Sequence, residues 1–175
     1  LSLHDALPIL VSMGDKAKID LSIIKSVIKS NESRKLLLLE RIDHIFGKNV
    51  RNKKIVFLGV TFKPNTDDMR DAVSLFMIPR LLKSKAIISY YDPTGEKNEF
   101  KKLRNCTFYS DINKACHDAD LVILHTEWDE FKSLNFSKLV KKKNFIIYDL
   151  RNLYTIEEMK RKKIKYFSIG RPNLS

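Results

Sequence analysis

Glycine, cysteine and long apolar runs are all scarce in this chain. None of its 5 glycines forms part of a G-x-G-x-x-G turn, the signature of a dinucleotide-binding domain. Its two cysteines, Cys106 and Cys116, are too few for a disulfide framework or a cysteine metal site. No run approaches the roughly 20 apolar residues of a membrane span, and the first residues lack the basic start of a signal peptide. We therefore predict a cytoplasmic protein with no membrane segment and no metal.

Acidic residues are also under-represented, with 21 against 33 basic residues and a net charge of +12. One interpretation of this excess is nucleic-acid binding. The other is a lysine-rich surface that keeps the protein soluble and attracts anions in general. The basic residues are scattered, and the aromatic and basic strand signature of an RNA-binding sheet is missing. We favour the second interpretation and expect no nucleic-acid partner.

The N-terminal part of the chain has helical spacing. Apolar residues recur every three or four positions between about Asp15 and Phe46, which predicts one long helix. Asp15 is the candidate N-cap, and Gly47 is the candidate stop. Asn31 and Ser33 are weak helix formers, so a local kink near them is compatible with the pattern. A single amphipathic helix of this length is typical of a domain connector or a subunit interface, because its apolar stripe has to be covered.

The rest of the chain alternates between short apolar runs and helical segments. The predicted strands are Ile55–Leu58, Ile87–Tyr91, Thr107-Phe108, Leu121–Leu124, Phe145–Tyr148 and an edge strand at Tyr166-Phe167. The predicted helices are Ser74–Lys83, Glu96–Leu103, Ile112–His117 with Asp111 as its cap, and Glu157–Lys162. Near-continuous apolar strands separated by helices indicate a parallel sheet covered on both faces, so we predict an α/β, Rossmann-like fold.

Charged and polar residues, together with Phe62 and Trp128, follow three of the predicted strands. Phe62, Lys63 and Arg70 come after the first strand, and residues 126–129 come after the central strand. Asp149, Arg151 and Asn152 follow the Phe145–Tyr148 strand. The carboxyl ends of parallel strands lie on one side of the sheet, so these groups should converge. The sequence therefore predicts an anion-binding crevice of nucleotide size at that edge.

The cations at this edge also have a simpler interpretation. Lys63 and Arg70 stand close to Asp67 and Asp68 in sequence, which is compatible with exposed salt bridges of under about 1 kcal/mol. Arg151 has a similar alternative as a strand-end ion pair with Asp149, although a planar guanidinium suits phosphate recognition better.

Three other strand-end residues have structural interpretations that we favour. Asp92 stands where Rossmann folds bind a ribose, but Asp-Pro is more typical of a turn. Trp128 is expected to pack at the sheet edge. His125 is expected to be a packed residue rather than a catalytic one.

Several segments together resemble a known family. They are GVTFKPNTDDMRDA at 59–72, YYDP at 90–93, HTEWDEF at 125–131, YDLRN at 148–152 and YFSIGR at 166–171. In this order they resemble the C-terminal, UDP-binding domain of the UDP-glucose/GDP-mannose dehydrogenase family, from about residue 15 onwards. TEWDEF and DLRN favour the UDP-glucose enzymes over those that oxidise GDP-mannose or UDP-N-acetyl sugars. One departure is Ser84-Lys85, which stands where the family commonly has a glycine-containing turn.

The resemblance implies an enzyme that oxidises UDP-glucose to UDP-glucuronate with two NAD. In this family an N-terminal NAD-binding domain and a helical middle domain precede the UDP-binding domain. Residues 10–50 would then be the end of the middle domain, and residues 51–175 the UDP-binding domain. The long helix would be the connector through which the family forms homodimers.

The resemblance also assigns roles to four residues. Phe62, Lys63 and Arg151 fall at positions that contact the UDP-sugar substrate. Arg70 falls at the position that reaches the NAD side of the cleft between domains.

Part of the family's machinery is not in this sequence. The catalytic cysteine and the NAD fingerprint would lie upstream, and neither Cys106 nor Cys116 has the context of a reactive thiol. Residues 1–9 do not match the family and are interpreted as a non-native segment. We therefore expect a fragment, catalytically inactive alone. A related sugar-nucleotide dehydrogenase and a stand-alone nucleotide-binding module remain as alternatives.

Overall fold

The computed structural model describes residues 3–173, which form two compact units that divide between Asn49 and Val50. The first unit contains two helices, α1 (Leu3–Ala17) and α2 (Ser22–Ile45). No helix within residues 3–173 is both long enough and apolar enough to cross a bilayer.

The prediction of one unbroken helix from Asp15 to Phe46 is wrong. Asp15 lies inside α1, and Lys18 adopts a left-handed φ of 57°, which ends that helix. The Asp20 carboxylate then accepts a hydrogen bond from the Ser22 N–H at 2.9 Å, where α2 begins. Apolar spacing continues across this break, so periodicity alone did not reveal it. Gly47, with a φ of 58°, follows the end of α2 and confirms the predicted stop.

The predicted non-native segment overlaps α1. Leu1 and Ser2 lie outside the described residues, while Leu3–Ile9 forms the first part of this helix. A helical conformation does not test the origin of the segment, which stays a prediction.

The second unit is a single six-stranded sheet. Its strands are β1 (Lys54–Leu58), β2 (Ile87–Tyr91), β3 (Cys106–Phe108), β4 (Leu121–Leu124), β5 (Ile146–Asp149) and β6 (Lys165–Ser168). Its helices are α3 (Val73–Lys83), α4 (Ile112–Cys116), α5 (Phe136–Leu139) and α6 (Ile156–Arg161), with a 3-10 helix at Asp129–Ser133. All neighbouring strands are parallel, in the order β3-β2-β1-β4-β5-β6. The predicted α/β, Rossmann-like fold is confirmed.

The strand order reverses at one point of the sheet, between β1 and β4. The chain moves outward from β1 to β3 and then returns to the other side of β1 with β4, so the order reverses between these two strands. In open parallel sheets, ligands bind at such a reversal, beyond the carboxyl ends of the strands. Leu58 pairs with Leu124, and Leu124 with Asp149, so β1, β4 and β5 end at the same level.

The core explains why the strands were predictable. All four residues of β4 are buried, as are Ile55 to Leu58 of β1. Neighbouring residues of a strand face opposite sides, so a strand that is apolar at every position needs cover on both. One core cluster joins Val56 and Leu58 to side chains of the later elements, among them Trp128, Phe131, Phe136, Tyr154 and Tyr166.

Short helices were predicted less well than strands. The segment Glu96–Leu103 contains turns and no helix, so that prediction is wrong. The main chain here makes separate turns, in which the Phe100 N–H donates to the Lys97 carbonyl at 3.1 Å and the Leu103 N–H to the Phe100 carbonyl at 2.9 Å. These bonds do not continue as the regular i to i−4 series of an α-helix. Asp111 caps α4 as predicted and accepts from the Asn113 N–H at 2.8 Å. The 3-10 helix and α5 were not predicted.

Candidate functional site

Two loops stand at the strand reversal, the loop after β1 (residues 59–72) and the loop after β4 (residues 125–128). Gly59 lets these loops meet. It has a φ of 74°, and a Cβ built on it would stand 2.6 Å from Cβ of Thr126. Any side chain here would force the two loops apart, so Gly59 sets their separation.

A buried chain of hydrogen bonds joins the two loops to α3. The Ser74 N–H, in the first turn of α3, donates to Nε2 of His125 at 3.0 Å. Because Nε2 accepts, we infer that the ring proton is on Nδ1, which lies 2.9 Å from Oγ1 of Thr126. That hydroxyl in turn donates to the Thr61 carbonyl at 2.8 Å. Each donor in this series has an acceptor, so these hydrogen bonds hold both loops against α3.

His125 is neutral in this arrangement. Burial, with a smaller contribution from the positive charge of Arg151, lowers the pKa of His125 to about 3. A proton on Nε2 would also break the bond from Ser74. His125 is therefore a packed strand-end residue, as predicted, and not an acid or base at neutral pH.

Arg151, just after β5, reaches the loops that follow β4 and β1. Its Nε donates to the carbonyl of His125 at 2.7 Å, and its Nη2 donates to the carbonyl of Phe62 at 3.3 Å. The structure therefore brings together Arg151 and Phe62, two of the sequence-predicted site residues. The predicted alternative, a side-chain ion pair between Arg151 and Asp149, is wrong. Asp149 accepts from the main-chain N–H of Arg151 at 2.9 Å instead.

The side-chain partner of Arg151 is Glu127, whose Oε2 lies 2.9 Å from Nε. Sequence reasoning missed this pair, although Glu127 stands in the strand-end segment that was expected to converge. A guanidinium carries five N–H donors. In the part of the chain that the structure describes, Nη1 of Arg151 has no hydrogen-bond acceptor. The bound carbonyls thus orient the group, and one of its edges remains able to bind an anion.

Phe62 and Lys63 begin a closed loop beside this guanidinium. The Phe62 N–H donates to the Asp68 carbonyl at 2.9 Å, which joins the two ends of the loop. Phe62 is 46% exposed although it is a large apolar residue. Lys63 is exposed and forms no salt bridge within residues 3–173, so its predicted pairing with Asp67 or Asp68 is not observed.

Arg70 does form the predicted alternative pair. Its Nε and Nη2 bind the two carboxylate oxygens of Asp68 at 3.0 and 2.8 Å. These bonds from Arg70 hold the pKa of Asp68 at about 2. The side chain of Arg70 is nevertheless 77% exposed, so its position leaves it open to further contacts.

Asp92, after β2, holds the loop after β1 from the other side. Its Oδ2 accepts from the Val60 N–H at 2.8 Å, and its Oδ1 accepts from the Thr94 N–H at 3.0 Å. The second bond is the turn that Asp-Pro predicted. Nζ of Lys97 lies 3.5 Å from this carboxylate, and both side chains are almost fully buried. Sequence reasoning missed Lys97, because a lysine in a polar segment gives no signal of burial.

The family model for the UDP binding domain of the UDP-glucose/GDP-mannose dehydrogenase family matches residues 56–156. The chain belongs to this family. The matched region runs from within β1 to the start of α6 and includes all the loops described above.

Curated relatives of this dehydrogenase family are longer proteins. The chain is 35% identical to UDP-glucose 6-dehydrogenase of Rhizobium meliloti (strain 1021), covering 86% of the chain and 35% of the relative. It is 34% identical to the enzyme of the same name from Rickettsia prowazekii (strain Madrid E), covering 91% of the chain and 37% of the relative. The chain therefore spans about a third of the length of the curated relatives it matches.

Solved structures of the dehydrogenase family share the fold. A UDP-glucose dehydrogenase from Pyrobaculum islandicum superposes with a TM-score of 0.72 and 22% identity, over 90% of this chain and 34% of that one. NDP-N-acetyl-D-galactosaminuronic acid dehydrogenase from Methanosarcina mazei Go1 gives 0.76 and 23%, over 93% of this chain and 36% of that one. At these identities the likeness shows the architecture alone.

The cysteines and Trp128 do not have the properties of catalytic residues. Burial raises the pKa of both cysteine thiols, Cys106 and Cys116, to about 12, so neither is an activated nucleophile. Trp128 is 8% exposed and packs in the core, as predicted. Within residues 3–173, no group of histidine, cysteine and acidic side chains has the arrangement of a metal site.

Proposed function

We propose that this chain is the UDP-sugar-binding part of an NAD-dependent UDP-glucose 6-dehydrogenase, which oxidises UDP-glucose to UDP-glucuronate. Two facts support the proposal. The matching family model describes a UDP binding domain. The curated relatives with 33–35% identity from Rhizobium, Rickettsia and Bacillus carry the UDP-glucose 6-dehydrogenase name. This favours UDP-glucose over the GDP-mannose and UDP-N-acetyl sugars.

The observation that carries the proposal is the position of the Arg151 guanidinium at the strand reversal. Two main-chain carbonyls from different loops hold it in place. A preorganised guanidinium binds a phosphate oxygen without first losing side-chain freedom. We assign Arg151 to the diphosphate of the UDP-sugar.

Phe62 and Lys63 complete the proposed substrate site. The exposed ring of Phe62 offers an apolar surface to the nucleotide or sugar, and the carbonyl of the same residue is bonded to Arg151. Lys63, the next residue, adds a second positive charge without a salt bridge inside residues 3–173. Contacts to these residues would bind the substrate and would not take part in bond breaking.

Arg70 is the residue that we assign to the NAD side of the cleft. Its exposed guanidinium fits a dinucleotide phosphate, and the pair with Asp68 holds its orientation. NAD, when bound, would supply the hydride acceptor. The raised pKa of both thiols argues that the nucleophile of the reaction comes from outside this chain, which alone would bind substrate without turnover.

We also propose that the protein forms a homo-oligomer through α2. This helix exposes large apolar side chains, with Ile23 at 80% and Leu37 at 60% exposure. Burial of such residues against a second copy is favourable because it removes apolar surface from water.

The proposal is tested by titrating the purified chain with UDP in a calorimeter. We expect Arg151→Ala to weaken UDP binding by about 1.5–3 kcal/mol, the range for hydrogen bonds to charged groups. Lys63→Ala should weaken it less, since an exposed charge is screened by solvent. Arg161→Ala is the matched control, because it removes the same charge from the end of α6, which leads into the amino end of β6, whereas the proposed site lies at the carboxyl ends of the strands. An unchanged affinity in Arg151→Ala would contradict the assignment.

The proposal that this chain is part of a dehydrogenase is tested on the gene sequence rather than on the purified chain. We expect the reading frame upstream to encode a G-x-G-x-x-G turn after a strand and a cysteine loop. A reading frame that lacks both would favour a stand-alone nucleotide-binding module.

A further inference from the structure

The contact between Glu127 and Arg151 is electrostatic, with poor hydrogen-bond geometry. Oε2 of Glu127 lies 2.9 Å from Nε of Arg151, yet it is buried and has no hydrogen bond within the described residues. The Nε–H of Arg151 points to the carbonyl of His125 instead, at 2.7 Å. Glu127 therefore offsets the charge of Arg151 and contributes little to orienting it.

This charge has an energetic consequence for any anion at the site. A carboxylate atom removed from water is costly unless it is paired, and here its pairing is with the guanidinium. An anionic ligand that binds the open Nη1 edge meets a guanidinium whose charge is already offset. The ligand is also repelled by the carboxylate itself. Removing the carboxylate charge would relieve both effects.

We propose that Glu127 is the internal counter-ion of Arg151 and sets how strongly the site binds a diphosphate ligand. This inference rests on the proposed function for the identity of the ligand, a nucleoside diphosphate. Glu127 acts through Arg151 as an affinity-determining residue. It has no catalytic role, and its charge weakens ligand binding.

The test is the variant Glu127→Gln, which keeps the size and removes the charge. The 175-residue chain is titrated with UDP, and we expect binding to tighten by roughly three- to tenfold, because the pair is partly exposed and screened. Glu130→Gln is the matched control. It removes an equal charge three positions away, where Glu130 contacts the Tyr91 hydroxyl at 3.1 Å. We expect this control to leave UDP affinity unchanged.

A second comparison separates a local effect from a general loss of negative charge. In an Arg151→Ala background, Glu127→Gln should give a much smaller gain, because the guanidinium it offsets is absent. Thermal unfolding of each variant confirms that the fold is retained. A structural role for Glu127 would weaken binding in both backgrounds.

The outcomes distinguish this inference from the proposed function. If Arg151→Ala weakens UDP binding while Glu127→Gln leaves it unchanged or weaker, the counter-ion inference is overturned and the UDP site stands. Inorganic pyrophosphate serves as a second probe, because the effect depends on charge. If Glu127→Gln binds pyrophosphate more tightly while neither the wild-type chain nor any variant binds UDP, the UDP site is overturned and the counter-ion inference stands. If neither probe binds more tightly to Glu127→Gln, the inference fails.

Discussion

At the scale of single residues, the carboxyl edge of the sheet is built from side chains that bond to main-chain groups of other loops. Arg151 binds the carbonyls of Phe62 and His125, and Asp92 binds the N–H of Val60. Each of these bonds satisfies a backbone group that would otherwise need water. The position of one loop is thereby determined by a residue from another.

Lys85 has an unusual backbone conformation at the end of α3. It follows α3 with a left-handed φ of 64°, and the next N–H, of Ala86, returns to the Leu81 carbonyl at 3.0 Å. This C-terminal motif strongly prefers glycine at the left-handed position. The Ser84-Lys85 departure noted in the sequence therefore keeps a helix-ending turn and adds strain to it.

We predict that Lys85→Gly raises the free energy of unfolding by about 0.5–1 kcal/mol. Glycine removes the steric cost of a left-handed residue, and its greater entropy in the unfolded chain offsets only part of that gain. Urea unfolding is followed by the fluorescence of Trp128, the one tryptophan in the sequence. Lys85→Ala is the control, since it removes the lysine side chain but keeps the Cβ, and it should bring no gain. A loss of stability in Lys85→Gly would show that the side chain itself is stabilising.

At the scale of elements, α3 is attached to β4 through a histidine. The imidazole of His125 accepts the Ser74 N–H at the start of α3, a donor that the helix itself cannot satisfy. A neutral ring is required for this bond, so the attachment has a pH dependence.

We predict that stability falls as the pH is lowered from about 6.5, because of His125. Its pKa is about 3 in the folded protein and about 6.5 in an unfolded chain. Between these values the unfolded state binds more protons, so the free energy of unfolding decreases as pH falls, by up to about 1.4 kcal/mol per pH unit. Urea unfolding between about pH 6.5 and 4.5 measures the slope, above the range in which most carboxylates titrate.

Two variants isolate the contribution of His125 to this slope. His125→Gln keeps an acceptor for Ser74 but does not titrate, so the slope should become shallower. His117→Gln is the comparison, because His117 is an exposed histidine whose Nδ1 lies 2.8 Å from Oδ1 of Asp118, away from α3. We expect His125→Gln to change the slope more than His117→Gln does. Equal slopes in wild type and His125→Gln would contradict the origin we assign to it.

At the scale of the whole molecule, the sheet and every proposed binding residue lie in the second unit. The sheet is complete within residues 50–175, with a core of its own. Domains with these properties generally fold alone.

We predict that a shortened protein of residues 50–175 folds and binds UDP with the affinity of the complete chain. Circular dichroism and calorimetry measure the two properties. If α2 forms the oligomer interface, light scattering should find the shortened protein monomeric and the complete chain associated. Loss of the fold, or of UDP binding, would show that the first unit is required.

The sequence was sufficient for the sheet and insufficient for the contacts between loops. The strands could be predicted because runs such as Leu121–Leu124 are apolar at every position, which a buried parallel strand requires. The break at Lys18 could not, since apolar spacing continues through it. The pairing of Arg151 with Glu127 joins residues from different loops, and only their arrangement in space makes it visible.

The loop that begins with Phe62 has a fixed base. Asp92 fastens Val60 on one side, Arg151 fastens the Phe62 carbonyl on the other, and the Phe62 N–H closes onto Asp68. Residues 63–67 lie between these fixed points, and Lys63, Asn65 and Asp67 are exposed. Insertions among them would lengthen the tip without moving the strands or the guanidinium. Changes in loop length could therefore alter the contacts that we propose for Phe62 and Lys63, at little cost to folding.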